Sequence, residues 1–171
     1  MSWNKVLVLQ NRAPVYEELP ITGTLYPTYL AKIVEDSGVT KLAANDVQGA
    51  PCLVVREDEH GMGGNVMGTL ISTACSGRAT AAFLAVGDQV VVTVVDGLTV
   101  TKGDLLTSSA TAGKVGSLLN TANSLVAAAA ASQPSQAGTI SVVAAQLVLR
   151  AEEALLSGAT TRRILCRVLR G

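Results

Sequence analysis

Between Val86 and Val115 the chain reads VGDQVVVTVVDGLTVTKGDLLTSSATAGKV. Two Gly-Asp steps, Gly87-Asp88 and Gly103-Asp104, each lead into apolar residues, and Asp96-Gly97 lies between them. Asp-Gly between apolar runs is a hairpin signal, because a type I′ turn needs φ > 0 at both central residues. Val90 to Val95 is almost entirely β-branched, which suits a pleated strand and costs side-chain freedom in a helix. The block therefore predicts a compact β-meander. It contains no His and no Cys, so it shapes a scaffold and performs no chemistry.

The rest of the 171 residues must fold around it with few aromatics: 49% of the chain is hydrophobic but only 3% is Phe, Trp or Tyr. The core is therefore built from Val, Leu, Ile and Ala. Thirteen basic residues balance thirteen acidic ones. That balance argues against nucleic acid as a partner, which needs a basic surplus, and it lowers the repulsion between copies. Cys52, Cys75 and Cys166 are odd in number and widely spaced, a poor disulfide framework that predicts buried, reduced thiols. No CxxC or CxxH pair suggests zinc, and no cofactor motif is present. No leader-like opening is read at Met1 to Asn11, and the Leu125 to Ala131 run is too short to span a bilayer, so no membrane partner is expected.

Residues 1–28 read as an extended arm. Pro14, Pro20 and Pro27 punctuate it, and it holds Trp3, Tyr16 and Tyr26. Each proline fixes φ and pushes its predecessor toward extended backbone. A solvated tail is poor in aromatics, so Trp3, Val6, Leu7, Val8, Tyr16, Leu19 and Tyr26 are candidate partner contacts. Residues 29–171 read as a β-rich body. Strands are expected over Tyr29 to Val34, Val39 to Ala43, Ala50 to Arg56 and Ile140 to Leu149, with a turn at Asp36-Ser37-Gly38. Val66 to Ile71 reads as a strand, Arg78 to Leu84 as a short helical or extended link, and Ala151 to Leu156 as a bulge or helical turn. Residues 120–138 form an Ala-rich insert, helical or irregular. Arg162 to Leu169 alternates, with Ile164, Cys166 and Val168 on one face, the mark of a closing strand. The fold class is mainly β: an antiparallel β-barrel or β-sandwich.

The search for chemistry is short. His60 is the only histidine and sits in an acidic, glycine-rich loop with nothing to orient it. Gly61 to Gly64 lacks the Lys-Ser/Thr ending of a phosphate loop. Glu57, Asp58 and Glu59 lack EF-hand spacing and read as a solvated run. Asp88 and Asp104 follow glycine at strand starts, where Asp caps turns. Arg162, Arg163, Arg167 and Arg170 give the last strand a basic edge, which either meets an acidic partner or discourages edge pairing. Arg162 and Arg163 are the contact candidates among them.

The order of these segments resembles the capsid decoration (cement) proteins of tailed bacteriophages over roughly residues 20 to 170. That family opens with a Pro-Gly-x-Leu-Val-like step and a short hairpin. Ile21 to Leu30 and Val39 to Ala43 resemble them, with Thr28 where a glycine often stands. A "pvlVxED" strand is matched by Ala50 to Asp58. A "yaaGDxVxv" strand is matched by Leu84 to Val92, and a "v.kGDxL.s...G.v" segment by Val100 to Val115. The closing "AxEa" and "rirVrl" strands are matched by Leu149 to Ala154 and Arg163 to Leu169. The Ala-rich stretch 122–132 is longer than the family leads one to expect. The resemblance implies a non-enzymatic virion protein, made in the host cytoplasm, that binds the outside of an assembled shell. Its partners would be the major capsid protein and itself, as a homotrimer at threefold or quasi-threefold positions.

Two other readings stand beside it. The Gly-Asp and Lys-Gly-Asp-Leu spacing is similar to lipoyl- and biotinyl-carrier modules, but the hairpin tip is Asp96-Gly97, with no lysine to modify. A hydrolase using Cys52 or Cys75 would need His60 as its base.

Overall fold

The two Gly-Asp steps form one local device used twice. In a computed structural model, which describes residues 8–9, 15–56, 74–118, 147–159 and 162–171, the Ala85 amide donates to Asp88 Oδ2 at 2.8 Å, and the Thr101 amide donates to Asp104 Oδ2 at 2.7 Å. Each Asp amide donates back three residues, to Ala85 O and Thr101 O. Gly87 and Gly103 adopt φ of 93° and 98°, left-handed values that glycine tolerates without steric cost. Their amides donate to Val168 O and Ala151 O, and the Val168 and Ala151 amides donate to Asp88 O and Asp104 O. Each turn thus starts one strand and clamps it to another.

The strands so started belong to a six-stranded antiparallel sheet in the order β1-β7-β11-β10-β8-β9. These are β1 (Val8–Leu9), β7 (Gln89–Thr93), β8 (Leu105–Ser108), β9 (Val115–Ser117), β10 (Val148–Ala151) and β11 (Arg163–Arg170). A five-stranded sheet holds β2 (Tyr16–Pro20), β3 (Leu30–Asp36), β4 (Val39–Ala44), β5 (Leu53–Val55) and β6 (Arg78–Phe83) in the order β2-β6-β5-β3-β4. The architecture is a β-sandwich and not a closed barrel. One parallel bridge closes each sheet on itself: Val94, just past β7, meets Val115 of edge strand β9 in the first, and Ile21, just past edge strand β2, meets Leu42 of edge strand β4 in the second.

Two cores follow from the period-2 alternation of the strands. Val90, Val92, Val94, Leu106, Leu149, Ile164, Cys166 and Val168 of the first sheet meet Leu30, Val54, Ala82 and Leu84 of the second. The opposite face of the second sheet carries Ala31, Leu42, Leu53, Val55, Ala79 and Ala81, covered by Leu25 and Cys75. β5 is buried on both faces, as its unbroken Cys-Leu-Val-Val run implies.

Several expectations are corrected. The block from Val86 to Val115 is not a meander, because β11 and β10 lie between β7 and β8. Asp96-Gly97 turns the chain without making a hairpin. Only Gly97 of the pair has positive φ. β11 takes one flank of β7, and beside Thr93 to Val95 the other is taken by Thr28 and Val115, so the returning chain has no place there and Val100 pairs with Leu155 instead. The turn with positive φ at both central residues is Ser37-Gly38, at 55° and 76°, joining β3 to β4 with Asp36 opposite Val39. Of the two forms expected for Arg78 to Leu84, the extended one holds over Arg78–Phe83. The β10 irregularity falls at Val148/Leu149, not at 151–156. The pairing also runs through the expected boundary at 28. β2 pairs along its length with β6, and Leu25 and Thr28 are fully buried, so a detachable arm has to end before Val15. The 120–138 insert and Val66 to Ile71 lie outside the described residues.

The sheets are stitched at residues 28–30. The Thr28 amide donates to Val55 O in one sheet, and Thr28 O accepts from the Thr93 amide of the other. The Thr28 and Thr93 hydroxyls lie 2.6 Å apart in a buried hydrogen bond. The Leu30 amide donates to Gly113 O, and a Cβ on Gly113 would stand 2.2 Å from the Tyr29 ring. Thr28 holds φ of 78°, a strained value for a β-branched residue.

Two substitutions test this stitch by urea denaturation. Gly113→Ala is expected to cost about 2–4 kcal/mol from overlap plus left-handed strain, against about 1 kcal/mol for Gly97→Ala, which meets nothing within 4 Å. Thr28→Gly and Thr28→Ala both lose the hydroxyl, and the glycine variant is expected to be the more stable by about 1 kcal/mol because only alanine keeps the strain.

Candidate functional site

The contact residues expected from the sequence separate into three groups. Trp3, Val6 and Leu7 lie outside the described residues, and Val8 is placed by its backbone, opposite Val90. Tyr16 and Leu19 lie on edge strand β2. Tyr16 is exposed, with the Arg56 guanidinium 4.5 Å above its ring. Leu19 packs against the second core. Tyr26 and Arg163 converge on the stitch between the sheets. The Tyr26 and Tyr29 rings lie 5.2 Å apart, and Arg163 stands opposite Thr93, which bonds Thr28. Burial lowers the Arg163 pKa and the neighbouring Tyr29 opposes that shift; the guanidinium stays charged at neutral pH.

Arg162 has a different role from the one expected. Its Nη1 donates to Leu156 O and Ser157 O, and its Nη2 to Val95 O and Leu98 O at 2.7 and 2.6 Å. These bonds tie two loops to the start of β11. The side chain is an internal clamp. The edge-guard reading of the arginines is also removed, since β11 lies inside its sheet, between β7 and β10.

The surface that sequence reading missed is the outer face of β10 and β11. Arg150 and Arg167 stand directly opposite each other. Arg150 Nη2 and Arg167 Nε both donate to Glu152 Oε1 at 3.0 Å. Hydrogen bonds from Arg150 and then Arg167 hold the Glu152 carboxyl below the usual range. Glu153 Oε1 accepts from the Leu165 amide at 2.9 Å. Leu169 and Arg170, both exposed, follow at the end of the strand. The signal was the spacing Arg163, Arg167 and Arg170 in the last strand, but the partner arginine sits on β10, and only the register unites them.

Chemistry elsewhere is slight. All three cysteines are buried and free. Burial pushes the Cys52 thiol up to about 11 and Cys166 higher still, so neither offers a thiolate near neutral pH. Asp88 and Asp104 are consumed as turn caps. Among the described residues no cluster of three metal-ligating side chains occurs. His60, Glu57 to Glu59 and Gly61 to Gly64 lie outside the described residues. No known family model matches this chain, and no curated protein matches its sequence.

Two outcomes follow. Thiol reagents are expected to label Cys52, Cys75 and Cys166 of the native protein slowly, and all three at once on unfolding, read by intact mass. Asp36, Asp46, Asp96 and Glu152 each have a lowered pKa through a Lys or Arg partner. Their contribution is therefore complete above the ordinary carboxylate range, about pH 4 to 4.5, and is lost as pH falls through the lowered values. The thermal midpoint should fall with acid in that window, and less steeply in Glu152→Gln.

Proposed function

We propose that the chain is a head-decoration protein of a tailed bacteriophage. It binds the outer surface of the assembled capsid and bridges major capsid subunits, as a homotrimer over threefold or quasi-threefold positions. It is made in the host cytoplasm, resides on the virion exterior and performs no catalysis. The observation that carries this reading is Thr28. In the step Pro27-Thr28-Tyr29-Leu30, the position where the resembling family often has glycine is the one whose backbone holds φ of 78°, a conformation that favours glycine. The left-handed backbone at Thr28 supports that placing of the motif. Both Gly-Asp motifs, moreover, build structural turns.

Physically the task needs area and repetition. A footing of roughly 800 Å² per partner makes a standard interface, and three linked footings raise effective affinity by a factor on the order of 10². A Val- and Leu-filled sandwich with buried thiols suits a particle that must only persist.

The test uses heads purified without this protein. Added protein should co-sediment saturably with expanded heads and raise the temperature at which they rupture. Failure to bind expanded heads at micromolar protein would sink the reading. Removing residues 1–7, which leaves β1 in place, should weaken binding about tenfold if Trp3, Val6 and Leu7 are contacts; unchanged binding would remove the arm from the interface.

A further inference from the structure

We propose that the outer face of β10 and β11 is a docking surface for a carboxylate-rich protein segment; on the reading above, that segment belongs to the shell subunit. β10 and β11 carry four arginines, Arg150, Arg163, Arg167 and Arg170, and no acidic residue. Like charges directly opposite on neighbouring strands are destabilising, yet Arg150 and Arg167 are placed that way in the interior of a sheet. One carboxylate holds them together. Glu152 uses a single oxygen, Oε1, to accept one N–H from each guanidinium. Each guanidinium carries five N–H donors, and the two side chains remain 44% and 37% exposed. The arrangement is a half-filled carboxylate site, with two planar forks aimed at one acceptor oxygen.

A second carboxylate entering from solvent would pair with the open guanidinium edges in the bidentate manner that Arg favours. Glu152 is shared between Arg150 and Arg167, and Glu153 accepts from the Leu165 amide with one oxygen. Leu165 and Leu169 alternate with the arginines, and Leu169 is 39% exposed. Apolar floor beside Arg forks is the composition of a protein interface. A phosphate backbone fits less well, because it has no apolar group to set against Leu165 and Leu169.

Binding of the full-length protein to heads lacking it, with poly-L-glutamate as a soluble probe, decides the matter. Arg150→Glu with Arg167→Glu should weaken both interactions about tenfold or more and flatten their salt dependence. Glu152→Gln removes the internal competitor and should tighten both, whereas a purely structural Glu152 would loosen them. Arg78→Glu, on the other sheet, is the control and should change neither. If the double reversal fails to fold by circular dichroism, Arg150→Gln with Arg167→Gln replaces it, with the same sign expected. If wild-type protein binds poly-L-glutamate but not heads, the decoration reading falls and the docking face stands. If it binds heads and the arginine variants bind them equally, the docking face falls and the decoration reading stands. Absence of poly-L-glutamate binding, or tighter binding of duplex DNA at equal salt, overturns the inference.

Discussion

At one strained residue, β5 of the five-stranded sheet and β7 of the six-stranded sheet are bonded through the two peptide groups that flank it. Thr28 sends its amide to the five-stranded sheet and receives the Thr93 amide of the six-stranded sheet through its carbonyl. Its hydroxyl meets that of Thr93 in a buried environment. A β-branched residue at φ of 78° costs on the order of 1–3 kcal/mol. The surroundings over-determine it: Pro27 fixes the chain ahead, and Tyr29 is wedged against Gly113 behind. Without the Thr28 bonds the sheets would keep the backbone bonds from Leu30 to Gly113 O, from Gly113 to Asn45 O and from Gly49 to Ser108 O, but would lose the link between β5 and β7. The outer face of β11 depends on the stitch too, because Arg163 stands opposite Thr93 at its near end.

The Gly-Asp turns serve the same end by a different route. Each uses glycine to reach a left-handed corner and aspartate to close it, then exchanges two backbone bonds with a strand remote in sequence. Gly87-Asp88 fastens β7 to Val168, and Gly103-Asp104 fastens β8 to Ala151. Repetition of the device explains how β10 and β11 come to lie between β7 and β8. Those central positions are what place Arg150 opposite Arg167.

Much of the strand content was legible because it rests on local rules. The alternation of Ile164, Cys166 and Val168 gave β11 its inner face, and the apolar run at Cys52 to Val55 its burial. The capping role of Asp88 and Asp104 followed from Gly-Asp at a strand start. The partners of these strands were not legible. Asp96-Gly97 looks like a hairpin in isolation, yet whether a turn makes a hairpin depends on whether a neighbouring sheet position is vacant, and β11 on one side and Thr28 with Val115 on the other leave none. Pro-spaced residues 16–20 look like an arm, although one antiparallel neighbour turns an extended segment into an edge strand. Arg162 looks like a surface contact in sequence because nothing local reveals that four carbonyls converge on it. The Arg150, Glu152 and Arg167 cluster was invisible for the same reason, since register alone brings its members together.

If Thr28 is the stitch, the two sheets open only together. Native-state amide hydrogen exchange, followed residue by residue across low urea concentrations, tests this directly. The amides of Thr28, Leu30, Val55 and Thr93 should exchange only through global unfolding, with the same urea dependence as the core amides of Val91 and Val92. Exchange of the Thr28, Leu30 and Val55 amides at a lower free energy than those of β7, with a smaller urea slope, would show that the five-stranded sheet opens alone and would contradict the account.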